Sequence, residues 1–166
     1  DYYKSLEMEL EIKKCDSFAV KRISQLTQKT NQLNFTTRRY SIGEIEKMQS
    51  SSEFYVYYSR LKDRYGDYGI TGVIIFKIEN ESLYIDTFLL SCRVIGRTIE
   101  NNLFYFFNNL AIKKGYKILI GDYFPTGKNS LIKNFFKENG FYKKNDQWYL
   151  KLKSKLKNNS YIKIIH

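Results

Sequence analysis

An α/β fold of the α+β kind, with a mixed and mostly antiparallel sheet flanked by helices, is predicted by three observations. Three aromatic and β-branched runs follow one another across short turns between residues 53 and 90. One long helical pattern then separates them from a short apolar strand. Two helical patterns precede the runs and a hairpin closes the chain, giving the order β-α-α-β-β-β-α-β-α-β-β. The 166 residues include 15 Tyr and 12 Phe but one Pro, a composition that builds a core and does not belong to a disordered segment. No repeat and no Gly/Pro-rich linker divides residues 1–166, so a single domain is expected.

Each element has its own signal. Residues 5–14 place Leu6, Met8, Leu10 and Ile12 on one face at the period of a half-buried strand. Asp16 or Ser17 offers a helix N-cap, and Phe18, Ile23, Leu26, Thr30 and Leu33 follow at helical spacing. Ser41 with Glu44 reads as a capping box for a second helix reaching about Gln49, so 15–50 is a helical region. Glu53–Lys62, Tyr68–Ile78 and Ser82–Leu90 predict an antiparallel meander across 54–92. From Thr98 to Lys114 a wide apolar face (Ile99, Leu103, Phe106, Phe107, Leu110, Ala111) predicts a helix stopped by Gly115. Lys117–Gly121 is a short buried strand. Thr126 or Asn129 opens another helix, with Leu131, Ile132, Phe135 and Phe136 inward and Gly140 at its end. Phe141–Lys144 and Gln147–Leu152 form the closing hairpin, and 153–166 is a basic tail, frayed or added as an edge strand.

The net charge of +11 is compatible with nucleic acid, anionic lipid, a phosphorylated cofactor or an acidic protein; a lysine-rich genome would produce the same value. The basic residues are scattered and no RNP, KH or helix-turn-helix signature occurs, so a nucleic-acid partner is not expected. No run approaches the roughly 20 apolar residues of a membrane span, and the N-terminus lacks a signal peptide's apolar stretch. Two cysteines, Cys15 and Cys92, make no disulfide framework, which points to a cytoplasmic setting. The only histidine is His166, which excludes Ser-His and Cys-His catalysis from the body of the domain and argues against a zinc or other metal site. A chain that begins at Asp1 rather than Met suits a piece of a longer protein.

The strongest functional signal lies where the strand Tyr84–Leu90 passes through a basic, glycine-bearing turn into a helix near Thr98. The first N–H groups of a helix lack internal partners and the helix dipole favours an anion there. Gly96 lets backbone approach a ligand, and Arg93 and Arg97 add charge. A pyrophosphate cradle over 93–98 is the resulting expectation, with an ordinary turn as its alternative. The run Arg93-Val94-Ile95-Gly96-Arg97-Thr98 resembles the Arg/Gln-x-x-Gly-x-Gly/Ala loop of the GNAT N-acetyltransferase fold, and departs from it at Thr98. That resemblance implies that amides of Val94, Ile95, Gly96, Arg97 and Thr98 hold the pyrophosphate of coenzyme A or the phosphate of a carrier protein's phosphopantetheine. It also implies that backbone from Phe88 to Cys92, Leu90 included, serves the pantetheine arm and the thioester oxygen. Asn129 falls where such enzymes place an Asn on pantetheine. Phe136 falls where they often place the Tyr that protonates the leaving thiolate, and it has no proton to give.

Three stretches are similar to a narrower group. Leu26 to Tyr40, Lys62 to Val73 and Ile85 to Glu100, with Tyr123-Phe-Pro-Thr-Gly-Lys-Asn129 and Gly140-Phe141, resemble the C-terminal GNAT-like domain of FkbH-like proteins. The resemblance implies a preceding HAD-type phosphatase domain in the same polypeptide, an acidic acyl carrier protein as partner, and transfer of a glyceryl unit derived from a phosphorylated glycerate. The Asp-x-Asp-x-Thr motif of HAD phosphatases is not in this chain.

Other residues carry candidate chemistry of their own. Asp86 lies in an apolar strand on the same face as Phe88, Leu90 and Cys92, either as a base or as an acceptor for nearby Thr and Arg side chains. Cys92 borders the expected acyl site and is either an acyl acceptor or a small apolar residue. Tyr123, or Tyr142, can stand in for the missing tyrosine acid or simply pack. The segment from Lys29 to Tyr40 is dense in hydrogen-bonding groups, and Asn31, Asn34, Thr37, Arg38 and Arg39 are candidates for binding a hydroxylated acyl group; a loop capping its own backbone is the alternative. A non-catalytic docking module and a coenzyme A-dependent N-acetyltransferase remain competing functions.

Overall fold

The computed structural model describes residues 2–157 and 161–166, and residues 158–160 of the expected tail lie outside them, as does Asp1. Its centre is the meander of β3 (Phe54–Asp63), β4 (Gly66–Glu79) and β5 (Ser82–Leu90). The β4–β5 turn uses Asn80 at φ 58°, a left-handed backbone that asparagine tolerates. β1 (Glu9–Lys14) pairs antiparallel with β3, and β9 (Lys163–Ile165) adds parallel to β1, so part of the tail is an edge strand. β6 (Ile118–Gly121) lies parallel to β5 after the crossover helix α4 (Ile99–Lys113), and β8 (Gln147–Lys151) and β7 (Tyr142–Lys144) complete the sheet. The path β7-β8-β6-β5-β4-β3-β1-β9 is the mixed, mostly antiparallel sheet expected. No helix among the described residues is long and apolar enough to cross a membrane.

Helices cover both faces, burying a separate apolar cluster on each. On one face α2 (Val20–Lys29) and α3 (Ile42–Ser50) bring Ile23, Leu26 and Ile45 onto Val73, Ile75 and Leu89. The predicted capping box holds the start of α3: the Glu44 N–H donates to Ser41 Oγ and the Ser41 N–H to the Glu44 carboxylate. On the other face α4 and the short α5 (Phe135–Glu138) bring Leu103, Phe107, Phe135 and Phe136 onto Ile74, Phe76, Phe88 and Leu90. Gly121 is needed here, because a Cβ on it would lie 2.5 Å from the Phe136 ring.

The structure departs from the sequence expectation in five places. α1 (Tyr2–Ser5) and the two-residue strand β2 (Leu33–Asn34) were not anticipated. Phe18, expected to face inward, is 83% exposed: the Asp16 carboxylate accepts from the Ala19 N–H at 2.9 Å, so a turn comes before α2 and swings Phe18 outward. The helix expected from Thr126 or Asn129 is a 3₁₀ turn, Ser130–Ile132, followed by α5, and Leu131 is exposed. Finally, β5 carries a bulge. Ile75 pairs with Thr87 but Phe76 with Ile85, leaving Asp86 as the extra residue. A bulge shifts the alternation by one, so Leu83 and Ile85, then Phe88 and Leu90, face α4. Asp86 therefore does not share the face of Phe88, Leu90 and Cys92 as its spacing suggested.

Candidate functional site

The β5–α4 turn occupies its predicted place. Cys92–Val94 form a 3₁₀ turn started by Ser91, and buried Val94 anchors it while its N–H donates to the Ser91 carbonyl at 3.1 Å. Gly96 (φ 88°) and Thr98 (φ 60°) take left-handed backbone before α4 begins; Ile95, just before them, is half-buried. Two components expected to hold an anion are already engaged. The Arg97 guanidinium donates to Asp63 at 2.8 Å and to the Tyr68 hydroxyl at 3.2 Å, and stacks over the Tyr68 ring. Burial opposes ionisation of Asp63, yet the Tyr65 N–H, the Tyr68 hydroxyl and Arg97 overcome it and hold its carboxyl below the usual range. Glu100, in the first turn of α4, brings a carboxylate to the helix N-terminus, where it accepts from its own backbone N–H. Burial raises its pKa against that bond, and Oε2 is buried without a partner. Arg93 differs: it is exposed, and among the described residues its guanidinium donates only to the neutral Tyr68 carbonyl, at 2.9 Å.

The adjoining edge of β5 is filled by the chain itself. β5 and β6 pair only from Ser82–Ile118 to Ile85–Gly121. Beyond that point β2 takes the edge, with Leu33 opposite Leu90 and Asn34 opposite Leu89. The Phe35 N–H donates to the Phe88 carbonyl at 3.3 Å, and the Phe124 N–H donates to the Phe35 carbonyl at 2.9 Å. Since β4 pairs with Leu90 on its other side through Gly72, both edges of Leu90 face this chain's own backbone. Asn129 locks the insert. Fully buried, it donates to the Asn34 and Phe124 carbonyls (2.9 and 3.0 Å) and accepts from the Thr126 N–H and the Tyr123 hydroxyl (3.0 and 3.2 Å). The places assigned by resemblance to the pantetheine arm at Leu90 and Asn129 are thus taken internally. Tyr123 is tied to Asn129 rather than presented to a leaving group, and burial raises its pKa.

Most of the polar segment serves its own backbone. Arg39 donates to the Thr27 and Thr30 carbonyls and to Asn31 Oδ1; Asn34 bridges the Thr30 carbonyl and the Thr37 N–H; the Thr37 hydroxyl turns back to the Thr36 carbonyl. Asn31, Asn34, Thr37 and Arg39 are therefore loop staples. Arg38 is the exception. It donates to the Asp86 carbonyl and carboxylate (3.0 and 3.2 Å) and to the Tyr84 hydroxyl (2.9 Å). The bulged Asp86 also accepts from Tyr40 at 2.7 Å and Thr87 at 2.9 Å. Tyr84 in turn donates to Asp122, which also receives Gln147. Burial and the Asp122 bond push the Tyr84 hydroxyl up to about 12, and burial with the Asp86 bond raises Tyr40 further. Tyr40, Tyr84 and Asp122 were missed from the sequence because they join this network from three separated segments. Asp86 is an ion-paired acceptor here, at the mouth where β5 and β6 part.

The Cys92 thiol is exposed. It lines a polar cleft of about 460 Å³ with the C-terminal end of α2 (Lys29, Thr30), Asn31 and the 127–128 loop, so Lys29 and Lys128 both flank it. Among the described residues no group of three His, Cys, Asp or Glu side chains is placed to hold a metal ion.

No family profile and no curated protein sequence matches this chain. Solved structures do. The ribosomal-protein-S18-alanine N-acetyltransferase of Escherichia coli superposes with a TM-score of 0.65 at 10% identity, over 90% of this chain and 97% of that one. Spermidine N-acetyltransferase from Vibrio cholerae, in complex with CoA and spermine, gives 0.68 at 11% identity over 86% and 95%. A GNAT-family acetyltransferase from Staphylococcus aureus Mu50 gives 0.64 at 12% over 87% and 99%. The mixed, largely antiparallel sheet flanked by helices is therefore that of the GNAT acetyltransferase fold.

Proposed function

We propose that this chain is an acyltransferase-type domain that takes a phosphopantetheine thioester from an acidic acyl carrier protein, with Cys92 receiving a glyceryl-like acyl unit. The observation that carries this reading is the contrast at the end of β5: the backbone edge is filled by β2, while the neighbouring thiol stands open in a polar cleft. The Cys92 thiolate, having given its proton to solvent, attacks the thioester carbonyl carbon. A tetrahedral oxyanion forms between Lys29 and Lys128, the bond to the pantetheine sulfur breaks, and the departing thiolate takes up a proton. Asp86, held by Arg38 and Tyr40, positions the 33–40 segment against β5. An upstream HAD-type domain would supply the acyl unit, as the likeness to FkbH-like proteins implies.

A non-catalytic docking module is the second reading, supported by buried Phe136 where GNAT enzymes often carry a tyrosine acid. Direct N-acetylation from coenzyme A is less well supported, for the same reason and because the arm's edge is filled. Intact-mass measurement after incubation with a glyceryl-loaded carrier protein tests the proposal. The expected result is one acyl adduct on the wild type and none on Cys92→Ala. Equal masses would favour the docking module, and turnover of acetyl-CoA with an amine would establish the acetyltransferase instead.

A further inference from the structure

A second concavity lies on the opposite side of the Ser91–Val94 turn. It is an open groove of about 820 Å³ between the first turns of α2, the start of α3 and the edge of β4, and its walls include Phe18, Arg22, Ile42, Tyr68, Ile70 and Arg93. Two features set it apart. Two of its three guanidinium groups are held by neutral acceptors: Arg22 donates to the Ile70 carbonyl (3.3 Å) and Gln25 Oε1 (2.7 Å), and Arg93 to the Tyr68 carbonyl. Neither takes part in an ion pair among the described residues, whereas Arg60, the third arginine of the groove wall, is paired with Asp67. Burial and the proximity of Arg93 both lower the pKa of Arg22, the mark of positive charges gathered without a counter-ion. The groove also presents apolar surface to water, with Phe18 83% and Ile42 43% exposed.

Fixed positive charge beside exposed aromatic surface suits an acidic, amphipathic polypeptide better than a small anion, which would satisfy the arginines and leave Phe18 in water. The position agrees. Helix α2 runs from Arg22 in the groove to Lys29 in the Cys92 cleft, about 10 Å at the helical rise. The same turn sends Arg93 into the groove and Cys92 into the cleft. A partner seated on the first would stand beside the second.

We propose that the Arg22–Arg93 groove docks an acidic helix of the partner protein, with carboxylates on the two guanidiniums and an apolar side chain over Phe18. Identifying that partner as a carrier protein rests on the function proposed above; the chemistry of the surface does not.

Calorimetry of the whole chain with a phosphopantetheinylated acyl carrier protein, at low and moderate salt, tests this. Arg22→Glu should weaken binding about tenfold or more, and Phe18→Ser about fivefold, as for a paired charge and an aromatic anchor at an interface. Because Phe18 lies almost wholly in solvent, its variant keeps the test valid even if Arg22→Glu perturbs folding. Reversing an acidic residue on the carrier helix should restore affinity to Arg22→Glu. Unchanged affinity in both groove variants overturns the docking site, and leaves the acyl-transfer reading standing if Cys92 is still loaded. Groove-dependent binding without any adduct on Cys92 upholds the site and overturns the transfer. Absence of carrier binding, with inorganic pyrophosphate bound instead, makes the groove a small-anion site and overturns the proposal.

Discussion

Two polar segments of this molecule look alike on paper and behave differently in the fold. Residues 29–40 and 91–98 both combine basic side chains with hydrogen-bonding neighbours at the end of β5. In the first, almost every group is spent on the loop itself: Arg39 on three oxygens, Asn34 on both sides of its carboxamide, Thr37 on its neighbour. In the second, Arg97 is spent on Asp63 but Arg93 and Cys92 reach solvent. A dense polar sequence therefore marks a binding site only where capacity is left after the backbone has been satisfied. In segment 29–40 the demand came from β2, a strand too short to satisfy its surroundings without side-chain help.

The sharpest way to break that comparison is to remove the clamp on β2. Asn129→Ala leaves two carbonyls and one N–H without their partner, while the Tyr123 hydroxyl keeps only its bond to the backbone carbonyl of residue 129. Buried unsatisfied groups cost about 1–3 kcal/mol each, partly recovered by relaxation and water, so a loss of about 3 kcal/mol is expected in urea unfolding. If Asn129 were free to hold a ligand instead, the variant would lose affinity and keep its stability.

Much of this was legible in the sequence, and the rest was not for identifiable reasons. The meander, the capping box at Ser41–Glu44 and the α4 face follow from local periodicity, which needs only neighbours in the chain. β2 escaped because two residues show no period; its existence depends on Asn129, 95 positions away. The Asp86 bulge escaped because an extra residue in one strand is visible only against its partner. At the site, the turn lies where it was expected, and Leu90, Arg97 and Asn129 each have long-range partners in this chain that no local motif reveals. Local motifs report where a turn is, and tertiary contacts decide which of its groups remain unspent.

Glu100 offers a middle-sized effect with a defined sign. Its folded pKa is raised, mainly by burial, so the stability it contributes is present below the ordinary carboxylate range and is lost as pH rises through the folded value. At neutral pH a charge with one unpartnered buried oxygen is held against that cost. Glu100→Gln should therefore stabilise by about 1 kcal/mol at pH 7, or about 2–4 °C in Tm for a chain of this size. The gain should shrink at pH 4, where the wild-type carboxyl protonates. A variant that loses stability at pH 7 would mean that the carboxylate is what satisfies the start of α4, and the turn would then have no room for another anion.

The smallest expected effect bears most directly on function. Cys92 is exposed, and among the described residues the Arg93 guanidinium makes one hydrogen bond, to a carbonyl. Surface changes of this kind fall within about 0.5 kcal/mol, so Cys92→Ala and Arg93→Ala should melt within about 2 °C of the wild type. Yet Arg93→Ala should weaken carrier-protein binding about tenfold, since its charge has no ion-pair partner among the described residues. The pairing of a silent melt with a changed titration distinguishes unspent groups from structural ones. Arg39→Ala should give the reverse, a lower melting temperature with binding intact, because its three oxygens belong to the loop that carries β2. Should Arg93→Ala instead lower the melting temperature as Arg39→Ala does, the two segments would be alike after all, both structural, and the assignment of the β5–α4 turn to binding would fail.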